Sequence, residues 1–150
     1  MIIPVKTQTG TYNIYLKRGA LKDAGKYLDL DRKVLIVTDT GVPSEYARTV
    51  ADACRDAVII TVNEGEKSKN IDTFKYILEC MVKNNFTRTD CVVAVGGGVV
   101  GDLSGFVASC YMRGVDFYNI PTTVLSQVDS SIGGKTAVDL PEGKNLMGAF

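Results

Sequence analysis

Residues 91–101 read CVVAVGGGVVG, and this stretch decides the fold class. Cys91–Val95 is a continuous run of small apolar and β-branched residues, which is typical of a strand covered on both faces. Three glycines then form a tight turn, and the pattern predicts a helix from Val99 to Tyr111. The spacing Gly96–Gly101 satisfies G-x-G-x-x-G between a strand and a helix, the context in which that motif has meaning.

Strands and helices alternate on both sides of this stretch. Further buried strands are predicted at Val34–Val37, Val58–Val62 and Val115–Ile120, with helices following Pro43 at the N1 position and spanning Ile71–Lys83. Two earlier segments, Ile2–Lys6 and Tyr12–Leu16, alternate apolar and polar residues as an edge hairpin does. The sequence therefore predicts an α/β fold, a Rossmann-like, mostly parallel sheet with helices on both faces and an N-terminal β-hairpin.

The last part of the chain is less regular. Residues 122–135 are polar and rich in glycine, and no further helix or strand is predicted up to Phe150. We therefore expect residues 1–150 to be the first domain of a longer protein. The formal net charge of +0 lacks the basic excess of proteins that bind nucleic acid through its phosphates, and no apolar run is long enough for a membrane span.

The composition also limits the possible chemistry. The chain has no histidine, so no Ser-His or Cys-His pair and no histidine metal ligand exists within it. Its four cysteines form no C-x-x-C pair, and buried thiols of a reducing cytoplasm are the simplest interpretation. The sequence therefore predicts no metal site in these residues and a cytoplasmic location.

The loops that follow the predicted strands carry the candidate binding residues. Because ligands of open α/β sheets bind beyond the carboxyl ends of the strands, these loops should share one edge. Bare glycine backbone and a helix N-terminus suit a pyrophosphate, although a tight turn without ligand has the same sequence. The motif follows the third predicted strand rather than the first, which points to a nonstandard dinucleotide site. Asp39 is better placed than Asp116 to bind ribose hydroxyls, and a solvated helix cap is its alternative role.

Several charged residues have two possible roles on pattern alone. Gly133-Gly134-Lys135-Thr136 is not a P-loop, because Asp129 occupies the position of the first glycine. Lys135 could instead attract a small anion, with Asp129 holding a hydroxyl or orienting the lysine, or both could be solvated. Glu66 and Lys69 suit a helix-start charge pair with Lys69 in solvent. Arg113 could bind a phosphate or be an exposed helix-end cation.

Taken together, five segments resemble the dehydroquinate synthase family. They are EGEKSK at 64–69, GGGVVGD at 96–102, YMRGV at 111–115, PTTVLSQVDSSIGGKT at 121–136 and KNLMGAF at 144–150. The segment from Pro121 to Thr136 is the most specific of them. The glycine motif alone also suits iron-type alcohol and glycerol dehydrogenases, and the cyclases that form inosose or valiolone rings share most of the pattern.

The resemblance implies a lyase that converts 3-deoxy-arabino-heptulosonate 7-phosphate to 3-dehydroquinate and phosphate in the shikimate pathway, with NAD reduced and reoxidised in each turnover. It implies that Asp39, Glu66 and Lys69 hold the adenosine side of NAD and that Gly97, Gly98 and Val99 border the pyrophosphate. The implied contacts to the nicotinamide half are Asp102, Thr122, Thr123 and Lys144. Those to the substrate are Asp129, Lys135, Asn145 and, across a homodimer interface, Arg113.

The same resemblance places the divalent metal, zinc or cobalt, in a second, helical domain that supplies one Glu and two His. That domain is absent from this chain, so residues 1–150 alone should be catalytically inactive. Gly41 departs from the family, in which Asn often stands two residues after the acid. The alternatives are another sugar-phosphate cyclase, an iron-type dehydrogenase or a noncatalytic nucleotide-binding module; no alternative involves nucleic acid or a membrane.

Overall fold

A four-stranded parallel sheet forms the centre of the structure, a computed structural model that describes all residues 1–150. In chain order the strands are β1 (Ile2–Lys6), β2 (Thr11–Tyr15), β3 (Lys33–Asp39), β4 (Asp56–Val62), β5 (Cys91–Gly96), β6 (Asp116–Pro121), β7 (Thr136–Leu140) and β8 (Gly143–Ala149). The α-helices are α1 (Ala24–Tyr27), α2 (Ser44–Asp52), α3 (Ile71–Lys83) and α4 (Gly98–Cys110). The central strands lie in the order β4-β3-β5-β6 with every neighbouring pair parallel, as predicted.

Helices cover both faces of this sheet. Successive side chains of each strand point to opposite faces and therefore pack into two separate cores. In β3, Leu35 and Val37 belong to a core that includes residues of α3 and α4. Val34 and Ile36 belong to the opposite core, which includes residues of α1 and α2. All four side chains are fully buried. The continuous apolar run therefore does indicate a strand that is covered twice.

Residues at the start of α3 and α2 explain where these helices begin. The side chain of Asn70 caps α3 by accepting a hydrogen bond of 2.9 Å from the backbone N–H of Thr73. Helix α3 has the predicted bounds, and its buried residues Ile77 and Met81 lie one turn apart. Helix α2 begins at Ser44, so Pro43 occupies the cap position rather than the predicted N1 position.

The N-terminal hairpin forms as predicted but is not an edge of the central sheet. Strands β1 and β2 pair antiparallel from Ile2 opposite Tyr15 to Lys6 opposite Thr11. They make a separate two-stranded sheet. The hairpin is joined to the later part of the chain by the Tyr12 hydroxyl, which accepts a hydrogen bond from the N–H of Gly133 at 2.9 Å.

The expectation that no helix or strand follows residue 122 is wrong. Residues Ser126–Ser130 form a π-helical turn, and β7 and β8 pair as an antiparallel hairpin. Val138 of β7 is fully buried in the same core as α4. A Cβ on Gly105 of α4 would collide with Thr136, so the glycine permits this close approach. Tertiary packing, rather than a strong local pattern, defines this hairpin.

The four cysteines are free thiols, but they are not uniformly buried as the sequence suggested. Cys91 is buried, whereas Cys110 is exposed and the other two are intermediate. Burial raises the pKa of Cys91 and of Cys54 to about 11 in each case. No helix of the chain is long and apolar enough to cross a bilayer.

Candidate functional site

The carboxyl ends of the four parallel strands meet at one edge of the sheet and border a cleft. The order β4-β3-β5-β6 places a topological switch point between β3 and β5, the position at which open α/β sheets bind ligands. A cleft of about 360 Å³ lies at this edge. Its lining residues come from the loops that follow all four strands: Asp39, Gly41, Val42, Pro43, Tyr46, Glu64, Gly65, Gly97, Thr122 and Thr123. Four of the predicted cofactor residues are among them.

Two carboxylates converge on one side of the cleft. Asp39 ends β3, and its Oδ1 accepts a hydrogen bond of 2.9 Å from the backbone N–H of Gly41. The carboxylate of Glu64 lies so close to Gly41 that a Cβ there would collide with it. The absence of a side chain at Gly41 therefore leaves room for a second acid beside Asp39. The sequence alone assigns no role to Glu64, because the loops that bring it close to Gly41 are distant in sequence.

The glycine turn leads directly from β5 into α4. Gly97 caps the helix and Gly98 and Val99 form its first positions, where backbone N–H groups have no intrahelical partner. A Cβ on Gly97 would lie 3.3 Å from Thr123 Cγ2, and a Cβ on Gly98 would lie 3.0 Å from Ser130 Oγ. Both glycines thus border narrow space that a side chain would fill.

Ser130 provides a test of whether these residues fit a dinucleotide. Its hydroxyl is buried beside Gly98 and has no hydrogen-bond partner in the chain. A buried hydroxyl without a partner is costly, and a polar ligand at the start of α4 would supply one. Together with the glycine cradle, this hydroxyl fits a pyrophosphate-containing cofactor. Sequence reasoning missed Ser130, since serine in a polar loop carries no signal.

Thr122 and Thr123 are fixed at the end of β6. The N–H of Thr122 donates to the carbonyl oxygen of Gly96 at 3.0 Å, which extends the sheet by one residue. The hydroxyl of Thr123 donates to Ser126 Oγ at 2.8 Å, and the N–H of Ser126 donates back to Thr123 Oγ1 at 3.1 Å. These bonds hold both threonines opposite the glycine turn.

Lys69 is the centre of a second cluster at the same edge. Only 4% of the residue is exposed, so the interpretation of Lys69 as a solvated charge is wrong. Its Nζ donates to Asp102 Oδ2 at 2.7 Å and to Asn145 Oδ1. Glu66 Oε1 lies 3.9 Å from this ammonium and 3.7 Å from Lys144 Nζ. Five predicted residues from three separate parts of the chain are therefore brought together.

Asp139 joins this cluster without having been predicted. Its Oδ1 accepts a hydrogen bond of 2.8 Å from the N–H of Asn145. Partial burial alone would raise the pKa of Asp139, but this hydrogen bond, a contact with Glu66 and the charges of Lys69 and Lys144 hold it below its ordinary value. The carboxylate is therefore ionised at neutral pH.

Asp129 and Lys135 flank the two glycines that precede β7. Both side chains are exposed, and they form no ion pair with each other. The suggestion that Asp129 orients Lys135 thus has no support from a direct contact. Gly133 and Gly134 have φ of 97° and 75°, values that favour glycine, so the turn itself requires them.

Arg113 is not brought to the cleft. Helix α4 starts at the cleft and has 13 residues, so a rise of about 1.5 Å per residue carries its far end roughly 20 Å away. Arg113 follows that far end, is exposed and forms no ion pair. Met112 and Arg113 both have positive φ, at 48° and 68°. Within one chain, Arg113 cannot reach a ligand in the cleft.

The chain offers no metal site of its own. No group of three or more His, Cys, Asp or Glu side chains is arranged to hold an ion. The paired acids Asp39 and Glu64 lack a third ligand, and a catalytic site of this kind needs three protein ligands with an open position. No chemical step is therefore assigned to a metal bound by these residues.

Comparison with known proteins identifies relatives along the whole chain. A model of the family described as 3-dehydroquinate synthase N-terminal matches residues 59–150. The 3-dehydroquinate synthase of Streptococcus suis is 46% identical over 157 aligned positions, covering 100% of this chain and 44% of that protein. That of Clostridium kluyveri is 43% identical, covering 99% of this chain and 43% of the relative. The chain thus spans less than half the length of these relatives.

Solved structures agree in fold. A crystal structure of 2-deoxy-scyllo-inosose synthase complexed with carbaglucose-6-phosphate, NAD+ and Co2+ superposes with a TM-score of 0.91 at 28% identity. The match covers 100% of this chain and 42% of that one. Glycerol dehydrogenase from Schizosaccharomyces pombe, at 16% identity and a TM-score of 0.65 over 89% of this chain and 32% of that one, shares the fold alone. From the family match and the alignment along the whole of this chain, the chain belongs to the 3-dehydroquinate synthase family.

Proposed function

We propose that residues 1–150 are the NAD-binding domain of a cytoplasmic 3-dehydroquinate synthase. The full protein would convert 3-deoxy-arabino-heptulosonate 7-phosphate to 3-dehydroquinate and phosphate in the shikimate pathway. The observation that carries this proposal is the 46% identity to a 3-dehydroquinate synthase over the whole chain. The cleft at the switch point gives the proposed cofactor a place to bind.

The proposed contacts fall on three parts of the cofactor. Asp39 and Glu66 would bind the adenosine side, and Gly97, Gly98 and Val99 would present backbone N–H groups to the pyrophosphate. Asp102, Thr122, Thr123 and Lys144 would contact the nicotinamide half. The ammonium of Lys69 already donates hydrogen bonds to Asp102 and Asn145. We therefore propose that Lys69 holds these two residues in place and does not contact the adenosine.

When bound, NAD supplies a reversible hydride acceptor, and oxidation of one substrate hydroxyl acidifies the neighbouring C–H so that phosphate can leave. The residues of this chain bind and orient the substrate for that chemistry. Asp129 would accept from a substrate hydroxyl, Lys135 would attract an anionic group, and Asn145 would face the sugar acid. All three side chains are exposed, as direct contact with a substrate requires.

Two further parts of the proposed active site would come from outside this chain: Arg113 of the partner subunit and the metal ligands of a second domain. Because Arg113 lies at the far end of α4, we propose that it serves the substrate phosphate of the partner subunit in a homodimer. The divalent metal, zinc or cobalt, would be held by a second, helical domain of the full protein. A related 2-epi-5-epi-valiolone synthase from Streptomyces hygroscopicus, 31% identical, was solved with NAD+ and Zn2+ bound.

The test measures phosphate release by the full-length protein and by the 150-residue chain. The full-length protein should release phosphate from the heptulosonate phosphate in the presence of NAD and a divalent metal, with 3-dehydroquinate as product. The chain alone should bind NAD in calorimetry and release no phosphate. Phosphate release by the chain alone would contradict the proposed division, and binding of ATP but not NAD would favour a noncatalytic nucleotide-binding module.

A second candidate is another sugar-phosphate cyclase. It is favoured by the TM-score of 0.91 to 2-deoxy-scyllo-inosose synthase. The two candidates differ in whether the substrate carries a carboxylate. Assays of the full-length protein with hexose and heptose phosphates that lack the carboxylate separate them, since a 3-dehydroquinate synthase should release phosphate only from the sugar acid. Net production of NADH with an unphosphorylated polyol would instead indicate a dehydrogenase.

A further inference from the structure

Asp139 closes a ring of hydrogen bonds around one of the proposed substrate residues. Its backbone N–H donates to the carbonyl oxygen of Lys69 at 2.9 Å, and its Oδ1 accepts from the N–H of Asn145 at 2.8 Å. The side chain of Asn145 returns to Lys69 by accepting a hydrogen bond from Nζ. Strands β7 and β8 are thereby tied to the loop that follows β4.

The ring holds Asn145 in an unusual conformation. Its φ is 55°, in the left-handed region that asparagine tolerates better than most residues other than glycine. Asn145 is exposed, so packing does not impose this conformation. The backbone N–H bond to Asp139 and the side-chain bond to Lys69 are the contacts that fix it.

The hydrogen bond from Lys69 determines which end of the Asn145 amide is free to meet a ligand. An ammonium group only donates hydrogen bonds, so the amide oxygen must face Lys69 and the NH2 group must face away. The NH2 group has no partner within the chain. A ligand at this edge therefore meets two N–H donors and no acceptor from Asn145.

We propose that Asp139 is a positioning residue, which holds Asn145 so that its amide offers only donors to an acceptor oxygen of the substrate. The inference rests on the proposed function and adds the chemistry of the recognised group, a carboxylate, phosphate or carbonyl oxygen. Asp139 itself touches no ligand. It acts through the backbone of Asn145, and Lys69 acts through the side chain.

The first test compares Asp139→Ala with Asp139→Asn in the full-length protein. Asparagine retains an oxygen that can accept from the N–H of Asn145, whereas alanine does not. In Asp139→Ala, KM for the sugar-acid phosphate should rise about 10- to 100-fold, because a misplaced binding group loses affinity, while kcat changes less than about 3-fold. Asp139→Asn should restore KM to within about 3-fold of wild type, and NADH affinity should stay within about 2-fold in both.

Glu142→Ala provides the matched control. Glu142 is an exposed acid in the turn between β7 and β8, and it belongs to neither the ring nor the cleft. Its removal should leave KM and kcat unchanged. A lowered melting temperature of Asp139→Ala with wild-type KM and kcat would overturn the inference, as would an Asp139→Asn variant no better than Asp139→Ala.

Asn145→Asp tests the donor polarity independently of Asp139. Aspartate also tolerates positive φ and accepts from Lys69, but it offers no donor to the substrate. Substrate affinity should fall at least as far as in Asp139→Ala at unchanged NADH affinity; wild-type affinity would refute the donor assignment.

If the wild-type full-length protein releases no phosphate, the proposed function fails, and crystal structures of Asp139→Ala then decide the inference. Asn145 unmoved with its oxygen on Lys69 would refute it, and a shifted Asn145 would support it.

Discussion

Neighbouring glycines of the turn should respond very differently to the same substitution. Gly96 is the buried last residue of β5, and a Cβ there would lie 2.7 Å from both Cβ and Cγ2 of Val100. Both atoms belong to a side chain that is fully buried, so neither can move without displacing the core. Gly96→Ala should therefore destabilise the fold by about 1–3 kcal/mol, the usual cost of overpacking.

Gly97→Ala should instead affect ligand binding. The backbone of Gly97 has φ −80° and ψ −166°, which any residue adopts, and its Cβ would lie 3.3 Å from an exposed Thr123 side chain. The cost in stability should remain below about 0.5 kcal/mol. The added methyl enters the cleft that both residues line and keeps a pyrophosphate away from the helix N-terminus. Loss of one charge-assisted hydrogen bond is worth about 1.5–3 kcal/mol, which corresponds to roughly a 10- to 150-fold weaker NAD complex.

Thermal unfolding by circular dichroism and NADH titration by fluorescence measure the two effects separately. The expected result is a lower melting temperature for Gly96→Ala and a higher Kd for NADH at nearly unchanged melting temperature for Gly97→Ala. If Gly97→Ala bound NADH as tightly as the wild type, the pyrophosphate would not lie against this turn. The proposed cofactor position would then be wrong.

Three further outcomes are expected. Because burial raises the pKa of Cys91 to about 11, iodoacetamide at pH 7.5 should modify the exposed Cys110 and leave Cys91 unmodified, which mass spectrometry of peptides can check. Lys69→Ala should destabilise the fold by about 2–3 kcal/mol in urea unfolding, because Asp102 would lose the partner of a largely buried ion pair. Partial burial would raise the pKa of Asp139, but its hydrogen bonds and the neighbouring lysines outweigh this effect and lower the pKa in the folded state. The ionised carboxylate therefore stabilises the fold above the unfolded pKa of about 4. This contribution is lost as the pH falls through the lower pKa of the folded state. Acidification from pH 7 to pH 3 should consequently lower the melting temperature of the wild type more than that of Asp139→Asn.

The parallel sheet could be predicted because its strands have a recognisable pattern in the local sequence. Val34–Val37 and Cys91–Val95 are fully buried on both faces, and such strands read as unbroken apolar runs. The β7–β8 hairpin could not be predicted in the same way. Strand β8 contains Gly143 and Gly148, residues that disfavour strands, and its place depends on β7 packing against Gly105.

The same distinction applies to the candidate site: some positions follow from the strand pattern, and others depend on contacts between residues distant in sequence. The position of Asp39 and of the glycine turn follows from topology, since both end parallel strands at one edge. The burial of Lys69 does not follow from its neighbours in sequence. It depends on Asp102, 33 residues later, and on Asn145, 76 residues later. Contacts over such separations become visible only when the chain is folded.

On the proposed assignment of residues, cofactor binding and phosphate recognition should be separable. Loops after all four strands of the central sheet supply the cleft, so every proposed contact to the pyrophosphate lies within one chain. Arg113, in contrast, lies about 20 Å from that cleft by the rise of α4. If Arg113 binds the substrate phosphate as proposed, a substrate that also contacts the cleft residues would lie between two subunits. The proposed homodimer would therefore be a requirement for phosphate recognition and not for NAD binding, so dilution below the dimer Kd should raise KM for the substrate while leaving NADH affinity unchanged.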